Sequence, residues 1–386
     1  MHSRIFLIAI LSISLAGISL VDNGFAESSH IFDSEFGKYG ILKPGSFLNP
    51  QHLAFDSENN LYVTDLGNAR VQKFDSNGTF LSEWGSMGSG PSQFGHPSGI
   101  TISNEFVFVV DNRNHNVQKF DLDGNYITKW GSLGNDNGSF KSPRGITISD
   151  DQFVFVVDSG NARIQKFTLD GEYVSHFGQS GKKDDNFFTP VDIAINSNKI
   201  FVTDSSQNKI NIYDLSGKFI RTINDSVGGF PISPEGIIFD EQNNFYISDF
   251  RNNRIIQYNE YGLSLSVFGQ MGIYDGQFKF PKDVGISKDG YLFVTDTESH
   301  RIQKFSTPIS KEYSLMIKDE SPTQSEMKSD LEVVSLVEYE KPPEILIPND
   351  FEKPTIMVPD DVLVEASGSL TFINIGNAMA TDENGI

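Results

Sequence analysis

V-T-D-L-G-N-A-R-V-Q-K-F, from Val63 to Phe74, decides the fold, because it returns five more times. The later copies end at Phe120, Phe167, Tyr213, Tyr258 and Phe305. Their aspartates, Asp65, Asp111, Asp158, Asp204, Asp249 and Asp296, are 46, 47, 46, 45 and 47 residues apart. A second marker keeps the same beat: Pro50, Pro97, Pro143, Pro190, Pro234 and Pro281. Two independent markers in phase over six units point to a propeller or a solenoid.

The unit from Pro97 to Pro143 decides between the two. Gly99 to Ser103 reads as a short strand, and Asn104-Glu105 as a turn. Phe106 to Val110 is an unbroken apolar run, suited to burial on both faces. A polar loop follows Asp111, then Val117 to Phe120 alternates as a third strand. Asp121 to Asn125 is a tight turn of the Asp/Gly type, and Tyr126 to Trp130 a fourth strand. Four antiparallel strands in about 46 residues make one blade of a β-propeller. The expected class is therefore all-β, with six four-stranded blades.

Composition agrees with that class. The chain of 386 residues carries 34 glycines and 32 phenylalanines, which supply turns between short apolar runs. There is no cysteine, so disulfides, thiol chemistry and cysteine-bound zinc are excluded. A net charge of −21 argues against nucleic acid as a partner, since a polyanion requires a basic surface.

Residues 1–26 have the form of a signal peptide: Arg4, an uncharged apolar run from Ile5 to Val21, then Gly24-Phe25-Ala26. The expected location is extracellular or at the cell surface. Membrane attachment is expected only if this segment stays uncleaved.

Each unit resembles an NHL repeat: a proline, a Gly-Ile type strand, an apolar strand ending in Asp, an Asn-x-Arg-Ile strand, an Asp-Gly turn and a closing Phe/Trp-Gly. The resemblance covers about residues 31–306 and implies a six-bladed propeller. The sixth unit lacks a fourth strand after Phe305, whereas Ile31 to Gly37 fits that slot. The N-terminal strand is therefore expected to close the ring and remove its exposed sheet edges.

After Thr307 the repeat stops. Residues 307–351 read as an acidic, proline-containing linker. Residues 352–386 resemble the opening strands of a HYR module, an immunoglobulin-like sandwich found in adhesion and surface proteins. They supply two or three strands of the roughly seven a sandwich needs.

Residues repeated in every blade are expected to be scaffold. The six aspartates each end an apolar strand and can hold the next loop through backbone N–H groups. Removing one is expected to cost about 1–3 kcal/mol. Function is expected where blades differ, on the face bearing the loops before the first strands and between the second and third. There Arg113, Arg144, Arg251 and Lys282 are the candidate ligand-binding residues. The resemblance implies that this face binds ligands, and these cations point to a protein, peptide or anionic glycan.

Catalytic residues, metal and cofactor are expected to be absent, and the role non-catalytic. The alternative is a metal-dependent propeller enzyme of the lactonase or lyase type. His52, Asp192 and Asp283 share one slot near the start of their first strands, where three ligands near the axis could hold a divalent ion. They belong to blades one, four and six, which are not all neighbours. Asp121-x-Asp123-Gly124 lacks the longer loop of an EF-hand and reads as a hairpin turn.

Overall fold

The computed structural model describes residues 30–224 and 232–307. The expected signal peptide, the HYR-like segment and all of the acidic linker except Thr307 lie outside them.

Six four-stranded antiparallel sheets form the blades. The innermost strands are Pro50–Phe55, Pro97–Ile102, Ile146–Ile148, Pro190–Asn196, Pro234–Phe239 and Pro281–Ile286. They touch one another in that order and the last returns to the first, so they wall a closed central channel. The second strands, such as Phe106–Asp111, are wholly or almost wholly buried. That accounts for their unbroken apolar runs: a strand covered by sheets on both sides has no polar face to present. The outer strands, such as Tyr126–Trp130, alternate between half-buried and exposed.

The core lies between blades. Among the described residues six apolar clusters occur, each shared by two neighbouring blades. One joins Tyr62 and Val71 of blade 1 to Phe94, Val109 and Phe120 of blade 2. Another joins Val63 and Phe74 of blade 1 to Phe293 and Ile302 of blade 6. Asp121 accepts hydrogen bonds from the N–H groups of Asp123 and Asn125, which fixes the hairpin turn. Gly124 takes φ +85° there, and a Cβ on it would come within 2.5 Å of the Trp84 ring of the previous blade. The Asp-Gly pair thus serves both the turn and the packing of blade on blade.

The ring closes through the N-terminus. Ile31–Phe36 pairs antiparallel with Arg301–Ser306 as the outer strand of blade 6. Glu35 pairs with the Arg301 guanidinium, and Phe36 lies 5.0 Å from the Phe74 ring of blade 1. Just before this strand, His30 is buried, stacked at 4.8 Å on Phe268 and hydrogen-bonded at 3.0 Å to the Tyr246 hydroxyl. Residues from both ends of the repeat region therefore complete one blade.

Candidate functional site

The repeated aspartates have no solvent exposure. Asp158 shows their work. It accepts the Lys141 N–H at 2.7 Å, Asn161 Nδ2 at 2.9 Å, Arg163 Nε at 2.7 Å and Gln165 Nε2 at 3.0 Å. Arg163 then reaches the carbonyls of Asp136 and Ser139. The Asp-x-x-Asn-x-Arg-x-Gln spacing, complete in blades 1 and 3, is thus a clasp holding the loop that leads into the innermost strand of its blade. Asp65 and Asp296 repeat the contacts to arginine and to the leading loop. Burial pushes both carboxyls up, against the hydrogen bonds and arginine charge that pull them down. Desolvation therefore offsets much of the pairing, and the clasp fixes geometry more than it adds net stability. In blade 2, where Asn116 replaces arginine, Asp111 instead accepts three backbone N–H groups, from Gly95, His96 and Asn114.

The cationic candidates separate. Arg144 and Lys282 line a vestibule of ≈ 150 Å³ at the channel, with Gln51, His52, His96 and Asn112. Both face Glu235, Lys282 at 2.7 Å and Arg144 at 3.9 Å. Lys282 also lies 5.0 Å from the Phe250 ring. Arg113 and Arg251 are exposed on the same loop-bearing side and are not among the residues lining the vestibule. The four charges therefore form an inner pair, tempered by one carboxylate, and an outer pair in solvent. Glu235 directly follows Pro234 on the same face, and its carboxylate offsets part of the charge of the inner pair.

Below the vestibule, His52, Asp192 and Asp283 converge. Each stands two residues after the proline that begins its innermost strand. The strand ladder is irregular there, between Pro50 and Leu53, Pro190 and Ile193, and Pro281 and Val284. Such a bulge takes a residue out of the ladder and re-aims its side chain. Thr64, Thr203 and Thr295 brace the three positions. Each hydroxyl accepts the N–H of its slot residue, at 2.7–2.9 Å, and donates to a carbonyl of the next blade. The threonine of V-T-D, against the valine of V-V-D in blades 2 and 3, was the signal for this brace.

All three side chains are buried, and one ligand atom from each lies within 4.8 Å of the others. Asp192 accepts the Ile237 N–H at 3.0 Å, and Asp283 the Leu53 N–H at 2.9 Å, so each carboxylate ties its blade to the next. His52 Nδ1 is 3.4 Å from Asp283, and its Nε2 is buried with no hydrogen-bond partner among the described residues. Burial works against the imidazolium, but the Asp283 carboxylate, by charge and hydrogen bond, holds His52 above its ordinary value. Burial pushes the Asp192 carboxyl well above the usual carboxylate range, with His52 opposing and Asp283 adding to the shift. Blades one and four face each other across a six-membered ring, which is why residues in non-adjacent blades meet.

The chain matches a family described as a 6-bladed beta-propeller (DUF5128) over residues 49–133 and again over 133–228. It matches the NHL repeat over 278–305. It is 32% identical over 72 residues to Protein brain tumor of Drosophila melanogaster, an alignment spanning 19% of this chain and 7% of that protein. Among solved structures, a protein of unknown function from Bacteroides thetaiotaomicron superposes with a TM-score of 0.57 at 16% identity, covering 72% of this chain and 76% of its own. An auxiliary nutrient binding protein from Bacteroides ovatus gives 0.56 at 15%, covering 72% and 77%. A streptogramin B lyase gives 0.53 at 16%, covering 70% and 98%. At such identities the likeness is one of fold. The chain is a six-bladed β-propeller that carries the NHL repeat.

Proposed function

We propose that this is an exported or cell-surface binding protein, without catalytic activity, that receives an anionic group of a protein, peptide or glycan at the vestibule of its loop-bearing face. The observation that carries this reading is the pair Arg144 and Lys282 at the channel mouth of a strongly acidic chain. Arginine holds a carboxylate through two parallel hydrogen bonds. Arg113 and Arg251, farther out, would draw the same charge toward the mouth. Export rests on the apolar run from Ile5 to Val21 behind Arg4.

The test uses the full chain with a labelled acidic peptide and an anionic oligosaccharide as probes. Affinity is expected to fall as salt rises from about 0.05 to about 0.5 M, because exposed charges are then screened within a few ångströms. Arg144→Ala with Arg251→Ala is expected to weaken binding about 10-fold, equivalent to ~1.4 kcal/mol, with the melting temperature unchanged. Affinity indifferent to both salt and the double substitution would move the site away from this face.

A further inference from the structure

The channel slot two residues after each proline reads His52, Gly99, Gly145, Asp192, Gly236, Asp283 around the ring. Three positions carry metal-ligating side chains and three carry glycine. The glycines make room for the carboxylates. A Cβ on Gly145 would overlap Asp192 Oδ1, and one on Gly236 would overlap Asp283 Oδ1. The ring could not hold these side chains at its axis if every slot carried one.

Tying blades together does not require carboxylates. Blade 2 is tied to blade 3 by Gly99 N–H to the Arg144 carbonyl, and blade 3 to blade 4 by Gly145 N–H to the Val191 carbonyl. The bonds to Ile237 and Leu53 engage one oxygen of each aspartate, Oδ2. No lysine or arginine forms an ion pair with Asp192 or Asp283 among the described residues; His52 alone approaches them. The imidazole thus keeps a buried Nε2 with no hydrogen-bond partner among the described residues, and the interblade bonds leave Oδ1 of each aspartate to another partner.

We propose that His52, Asp192 and Asp283 bind one divalent first-row transition cation, zinc or manganese, at the neck of the channel. One imidazole nitrogen with two carboxylates is a donor set for these ions, whereas calcium and magnesium favour oxygen throughout. Donors bonded to one cation at about 2.0–2.2 Å lie within ~4.4 Å of one another. The present spread of 4.8 Å exceeds that span by only ~0.4 Å. Three protein ligands leave coordination positions open, as in sites that also hold water or a ligand. His52 borders both the vestibule and the ≈ 320 Å³ cavity on the other side of the neck, so the site faces space in both directions. The proposal does not depend on the vestibule binding an anionic partner.

The test takes the untagged full chain, stripped with a chelator and dialysed, and titrates zinc and manganese separately by calorimetry. One equivalent per chain is expected. His52→Ala, Asp192→Asn and Asp283→Asn should each weaken binding at least about 100-fold, since even outer-shell substitutions lose 10–100-fold. The asparagines keep a carbonyl for the Ile237 and Leu53 N–H groups, so the fold is expected to persist, checked by melting. In the bound manganese, electron paramagnetic resonance should show nitrogen hyperfine coupling that disappears in His52→Ala. If any variant unfolds, the resonance of the native chain decides alone. No uptake of either ion, variants that bind as the native chain does, or bound manganese without nitrogen coupling would each overturn the assignment.

Discussion

Removing residues 27–37 is expected to lower the melting temperature of the chain by ~10–20 °C. The closing strand carries Phe32 into the cluster of Phe268, Phe278 and Phe305, and sets Phe36 against Phe74 of blade 1. The deletion also removes His30 from Phe268 and Tyr246, and Glu35 from Arg301. Half-buried phenylalanines contribute about 1–2 kcal/mol each, and each ladder hydrogen bond about 1 kcal/mol net. The sum is on the order of 5 kcal/mol, which at about 2–4 °C per kcal/mol for a domain of this size gives the stated range. The exposed edge Arg301–Ser306 would also become a template for pairing between chains. Calorimetry and light scattering read both effects. An unchanged melting curve would mean that the ring does not depend on this strand.

Asp158→Ala is expected to cost about 3–5 kcal/mol, more than a single lost hydrogen bond. The substitution leaves the Arg163 guanidinium buried without its carboxylate, and that uncompensated charge is the larger penalty. It also frees the Lys141 N–H, so the leading loop loses its anchor. Asp158→Asn keeps an acceptor for Lys141 and is expected to cost less, because the loop stays held while the charge is lost. Denaturant midpoints of the two variants should fall in that order. Equal midpoints for the native chain and Asp158→Ala would assign the repeated aspartates a role other than holding the loops.

Much of this molecule is legible in its sequence, because repetition makes each blade a separate reading of the same structure. The aspartate and proline markers, six times in phase, give the blade count, and the strands between them give four per blade. The buried second strand shows in Phe106 to Val110, and the Asp-Gly turn in Asp121 to Gly124. The missing fourth strand after Phe305, set against Ile31 to Gly37, gives the ring closure. These features are local, or follow from counting strands, and one chain is enough to state them.

The channel is different, because proximity around a ring is not proximity along the chain. Sequence places Arg113, Arg144, Arg251 and Lys282 on one face, but not that Glu235 stands between Arg144 and Lys282 while Arg113 and Arg251 lie outside the vestibule. It places His52, Asp192 and Asp283 in one slot, in blades that are not all neighbours. Closure bends the row of innermost strands until blade one faces blade four. The bulges after Pro50, Pro190 and Pro281 aim the side chains inward, and glycines in the same slot of the other blades clear the space between them. Sequence determined the six blades and their closing strand; only the closed ring brought the three ligand atoms within 4.8 Å, because all six innermost strands face a single axis.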